Sequence, residues 1–100
     1  MIIYEVTATV NADLTAEYEE YMKGRHIPQI LETGHFDAAF LLKGGGNRYR
    51  MLYRAHGEEN FNSYLEKDAA HVRADVAEHF PSGLELSRDV WSIEQAWPEL

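Results

Sequence analysis

Residues Ile2 to Val10 alternate in polarity: Ile2, Tyr4, Val6, Ala8 and Val10 share one side, Glu5, Thr7 and Thr9 the other, with Ile3 an apolar exception. A period of two is that of a half-buried strand. Asn11-Ala12-Asp13 breaks it. Asp13 or Thr15 is placed to cap a following helix whose start carries Glu17, Glu19 and Glu20, where the macrodipole favours negative charge. Leu14, Tyr18, Tyr21 and Met22 make that helix's apolar stripe. Pro28 has no amide hydrogen and cannot be an ordinary interior residue, so a kink or restart is expected around Arg25-His26-Ile27. Ile30 and Leu31 follow it, and Thr33-Gly34 ends the helix.

The next two segments read as a hairpin. Phe36, Ala38, Phe40 and Leu42 alternate on one side, leaving Ala39 and Leu41 on the other, and Tyr49, Met51, Tyr53 and Ala55 alternate on the way back from the Gly44-Gly45-Gly46-Asn47 turn. Phe61, Leu65, Ala69, Val72, Val76 and Phe80 then recur at helical spacing, with Ser63-x-x-Glu66 as a capping box and restart. Pro81-Ser82-Gly83 stops this pattern, and Leu84 to Ile93 forms the last strand. Its apolar residues change parity between Leu84/Leu86 and Trp91/Ile93, which a bulge near Arg88-Asp89 would reconcile.

The element order is β-α-β-β-α-β. With right-handed crossovers this is an α+β, ferredoxin-like domain spanning residues 1–100, with four antiparallel strands and two helices on one face. The other sheet face is too apolar for water across its whole breadth and too polar for an ordinary core. A homodimer closed face to face, a dimeric α+β barrel, accounts for it, and Ile3, Leu41, Arg50, Leu52, Arg54, Trp91 and Ile93 are the expected interface.

The opening Met1-Ile2-Ile3-Tyr4-Glu5-Val6-Thr7, the Tyr21…His26-Ile27-Pro28…Leu31 segment, the Gly34-x-Phe36…Ala39 link and the Tyr49-Arg50-Met51-x-Tyr53-Arg54 strand resemble an uncharacterised bacterial domain-of-unknown-function family of short proteins. That family is related at fold level to the dimeric α+β barrels. The resemblance implies fold and dimerisation. The wider fold class also contains cofactor-independent monooxygenases, polyketide cyclases and haem-degrading enzymes, and importing their chemistry would be analogy of fold alone.

Composition narrows the partners. One hundred residues, 45% hydrophobic, hold one core and no second domain. Nine Lys+Arg against seventeen Asp+Glu give a net charge of −8, a poor match to the polyanionic backbone of nucleic acids or to an anionic membrane leaflet. The chain has no Cys, which excludes disulfides, thiol catalysis and thiolate metal sites. Its start lacks the basic region of a signal peptide, and no apolar run approaches the ~20 residues of a membrane span, so a cytoplasmic location is expected.

The tyrosines carry the most information about a site. Tyr4, Tyr49 and Tyr53 face the helices on the strand parities, and Tyr18, Tyr21 and Tyr64 are placed to point back. Six phenols around one small core either line a pocket for a small hydrophobic or aromatic ligand or ring the core edge with their hydroxyls in water. Arg25 either binds an anionic ligand group or covers the core with its stem. His26 either hydrogen-bonds carbonyls freed at the helix break or joins the pocket as an acid or base. His71, Asp75 and His79 recur every four residues but do not converge on a helical wheel, so no metal site is assigned. The triple glycine opens a strand, not a helix, and is a turn rather than a phosphate loop. These features describe a non-catalytic small-molecule-binding or interaction module that calls for no cofactor. The alternative is a cofactor-independent monooxygenase or cyclase/isomerase with His26 as acid or base and Tyr53 as orienting donor. A purely structural dimer is the third reading.

Overall fold

The alternating first segment forms β1 (Ile2–Val10), an inner strand of a four-stranded sheet of order β2-β3-β1-β4 in the computed structural model, which describes residues 1–99. Leu100, the last residue of the expected domain, lies outside the described residues. β2 (Ala38–Lys43), β3 (Arg48–Ala55) and β4 (Leu84–Ser92) complete the sheet, and each neighbouring pair is antiparallel. The helices are α1 (Thr15–Tyr21), α2 (Ile27–Glu32), α3 (Glu58–Lys67) and α4 (Ala69–His79). The fold is the ferredoxin-like α+β arrangement. No helix among the described residues is long and apolar enough to cross a membrane.

The core lies between the sheet and the helices. Ile2, Tyr4, Ala8 and Val10 of β1 and Tyr49, Met51, Tyr53 and Ala55 of β3 are buried against Tyr18, Ile30, Phe61, Tyr64 and Val72 from the helices. Both central strands follow the period of two that their residues dictate.

Between α1 and α2 the chain makes a single π turn, Met22–His26, closed by the Ile27 amide donating to the Met22 carbonyl. Pro28 then falls in the first turn of α2, where a missing amide hydrogen leaves no bond unmade. The expected restart is therefore a widened turn rather than a break. It carries one extra residue, which turns His26 inward until only 9% of it is exposed.

Several local expectations need correction. Asp13 and Thr15 do not cap α1: Ala12–Leu14 form a 3-10 turn, and the Thr15 hydroxyl donates back to the Ala12 carbonyl at 3.1 Å. The second helical arm restarts at Asp68, not at Ser63, and Asp68 is held by His35 Nε2 at 2.9 Å. Leu65 faces water, and Tyr64 takes its place inside. β2 is inverted relative to the expected faces. Ala39 and Leu41 pair with Tyr53 and Met51 and pack on the core, so Leu41 is not an outer-face residue, whereas Phe40 and Leu42 are exposed opposite Leu52 and Arg50. Phe36 is buried from the link before the strand, so its parity does not carry into β2. β4 has no bulge: its register with β1 runs unbroken from Leu84 to Ser92, with Arg88 opposite Val6 and Trp91 opposite Ile3.

Candidate functional site

A cavity of about 30 Å³ lies between the sheet and the helices. The sheet supplies Tyr4, Val6, Met51, Tyr53, Leu86 and Arg88 to its wall; the first helical arm supplies Tyr18, Met22, His26 and Ile30; the second supplies Tyr64, Val72, Arg73 and Val76. Two aromatic groups flank it. Tyr4 lies 5.2 Å from Phe61 and 5.9 Å from both Tyr53 and Tyr64, ring centre to ring centre, while Tyr18 lies 5.3 Å from Tyr49 and 5.7 Å from Phe80. This volume admits water or a small head group, not an aromatic ring. The expected ring-sized pocket is thus not open in this structure.

Two buried polar atoms on this wall lack a hydrogen-bond partner, His26 Nδ1 and Tyr53 Oη. Burial pulls the His26 pKa down to about 4, with Arg88 adding to the shift and Asp75 opposing it, so the ring is neutral at pH 7. Burial, reinforced by the neighbouring phenols of Tyr64, Tyr18 and Tyr4, holds the Tyr53 phenol well above its ordinary range, protonated and able to donate. Burial likewise raises Tyr18 and Tyr64. Tyr18 Oη has only the Met51 sulfur, at 3.9 Å.

The structure brings Tyr4, Tyr18, His26, Tyr53 and Tyr64 of the expected set together and leaves three others out of the wall. Tyr49 donates to Glu19 Oε2 at 2.6 Å. That hydrogen bond, with a second from Lys43, lowers the Glu19 carboxyl to about 2. Tyr21 donates to Asp75 Oδ2 at 2.6 Å. Arg25 grips the same carboxylate with two nitrogens, at 2.9 and 2.8 Å, which holds Asp75 well below the usual carboxylate range. Arg25 therefore lies outside the cavity wall and ties the π turn to α4. The cavity's guanidiniums are instead Arg73 and Arg88, which the sequence reading passed over. Arg88 shares the strand parity of Leu84 and Leu86, a signal hidden by the assumed bulge.

A family model described as a domain of unknown function, DUF4286, matches residues 1–91. No curated protein matches the chain. Among solved structures, a cofactor-independent oxygenase, SnoaB, from Streptomyces nogalater superposes with a TM-score of 0.75 at 18% identity, covering 98% of this chain and 97% of that one. A monooxygenase from the ActVA-Orf6 gene of Streptomyces coelicolor, in complex with nanaomycin D, gives 0.73 at 16% identity, covering 95% and 88%. A variant of MhuD with two manganese protoporphyrin IX bound per active site gives 0.73 at 14%, covering 96% and 97%. Neighbours of such different chemistry at this identity establish the fold.

Proposed function

Because the chain belongs to the DUF4286 family, whose description assigns no activity, we propose from its site that it is a cofactor-independent oxygenase acting on a small hydrophobic substrate with an acidic C–H bond. One observation carries this reading: His26 and Tyr53 line one cavity, and His26 Nδ1 and Tyr53 Oη are buried with no protein partner among the described residues. A buried orphan costs about 1–3 kcal/mol, and two around one cavity gain partners when a ligand enters. Neutral imidazole accepts the substrate proton, and the Tyr53 hydroxyl donates to the oxygen that collects the negative charge. The resulting carbanion is electron-rich enough to reduce dioxygen directly. Conversion of the activated CH₂ to C=O with release of water consumes one O₂ and needs no other reductant. The neighbours described as oxygenases support this at the level of fold.

The small cavity favours a second reading, a module that holds a ligand's head group without converting it. An oxygen electrode separates the two. With a panel of small β-dicarbonyl compounds, uptake above the buffer rate is expected, falling about 100-fold or more in His26→Ala. Stabilisation by a compound that supports no uptake favours the module, and unchanged uptake in His26→Ala refutes the base.

We also propose that a second copy covers the outer sheet face. Arg48, Arg50 and Arg54 on β3 stand beside Glu5 on β1 and Glu85 and Asp89 on β4, so one half of the face is basic and the other acidic. A two-fold axis through its middle sets each half on its opposite and covers Phe40 and Trp91, which are 54% and 55% exposed.

A further inference from the structure

This acidic chain has six arginines. Arg25, Arg50 and Arg54 lie against Asp75, Glu5 and Asp37, and Arg48 donates to the Gly45 carbonyl. The other two, Arg73 and Arg88, both line the cavity, and among the described residues neither has a carboxylate within 4.0 Å. The hydrogen bond Arg73 makes is to a neutral group, the Tyr4 hydroxyl at 3.2 Å. With seventeen acids available to nine Lys+Arg, two unmatched guanidiniums at one place are a concentration of unused positive charge. They come from different walls, Arg73 from α4 and Arg88 from the edge strand β4, and both are exposed, so they frame the opening between these elements.

A guanidinium presents its N–H groups as a planar fork that matches the two oxygens of a carboxylate. Beneath the opening, the space of about 30 Å³ suits a group of a few heavy atoms. We infer that the site takes a small carboxylic acid, its carboxylate held between Arg73 and Arg88 and the atoms next to it reaching His26 and Tyr53. The inference rests on the proposed function only in taking this cavity to be the ligand site. In the oxygenase reading, the carboxylate anchors the molecule while the neighbouring carbon, activated by a second carbonyl on its other side, loses its proton. The −8 chain repels anions at long range, so selection for an acid has to come from these local charges.

Propionate and its neutral isostere propionamide, small enough for this cavity, test this by NMR titration of the purified chain. Propionate is expected to bind about 10-fold or more tightly than the amide. Arg88→Gln and Arg73→Gln are each expected to remove that preference without changing amide binding, while Lys67→Gln, at the end of α3 and outside the cavity wall, leaves it intact. Arg88, which has no protein partner among the described residues, is the position whose replacement disturbs packing least. Equal affinity for acid and amide, no binding of the acid at millimolar concentration, or a preference that survives both glutamine variants overturns the inference. Because the readout is binding, acid selectivity without oxygen uptake refutes only the oxygenase, and oxygen uptake without acid selectivity refutes only the carboxylate anchor.

Discussion

His26 is neutral in the folded chain because its ring has left water for a cavity wall, and that neutrality links stability to pH. Unfolding returns the imidazole to its ordinary value of 6.5 from about 4. Between these values the unfolded chain binds a proton that the folded chain does not, so stability is complete above pH 6.5 and falls as the pH drops toward 4. The loss in urea unfolding between pH 7.5 and 4.5 should be about 2–3 kcal/mol, and His26→Gln should flatten it. The lowered carboxyls of Glu19 and Asp75 add a further loss at the lower end of this window and below it, where their unfolded counterparts protonate. Tyr53 gives the complementary test. Its hydroxyl has no partner, so Tyr53→Phe should leave stability unchanged or raise it by up to about 1 kcal/mol, while lowering oxygen uptake. A loss above about 2 kcal/mol in thermal unfolding would mean that the hydroxyl is bonded in the empty protein.

Two glycines respond in opposite ways because of the elements they occupy. Gly24 lies in the π turn with open space where a Cβ would sit, and its φ is not positive. Gly24→Ala should stabilise the chain by about 0.5–1 kcal/mol, since alanine is the better helix former and the unfolded state loses freedom. Deleting Gly24 removes the extra residue of the turn and rotates one helical segment against the other by about 100°. His26 then leaves the cavity, and the pH dependence attributed to it should disappear. Gly83, before β4, has a φ of +90°, and a Cβ there would meet the Leu14 Cδ1 atom at 2.5 Å. Gly83→Ala should lower the thermal midpoint by an amount corresponding to about 1–3 kcal/mol. An unchanged midpoint would show that the β4 entry adjusts freely.

The outer sheet face belongs to the scale of the whole molecule. If a second copy covers it, the interface should bury on the order of 1,600 Å² or more in total. Sedimentation should show a dimer at micromolar concentration, and Phe40→Glu or Trp91→Glu should give folded monomers because both side chains are exposed in the single chain. Leu41→Glu distinguishes the two sides of the sheet. Leu41 packs on the core, so this change should unfold the chain instead of splitting the dimer. A wild-type chain that sediments as a monomer at tens of micromolar would refute the dimer.

The alternation of Ile2–Val10 and of Tyr49–Ala55 and the proline after His26 were enough to settle the topology, the inward tyrosines and the irregular turn. In each case one face or one backbone group leaves a single solution. β2 and β4 offered no such contrast. Ala39 and Leu41 compete with Phe40 and Leu42, and Leu84 and Leu86 with Trp91, so polarity was compatible with either face, and pairing with the central strands made the choice. His26 and Tyr53 were legible as candidates because a histidine at a helix break and a tyrosine of inward parity stand out in a pattern. That their polar atoms lack partners was not legible, because satisfaction depends on every neighbour the fold brings within reach. The same holds for Arg73 and Arg88. Their charge is written in the sequence, but only tertiary structure places them beside one cavity with their potential carboxylate partners elsewhere.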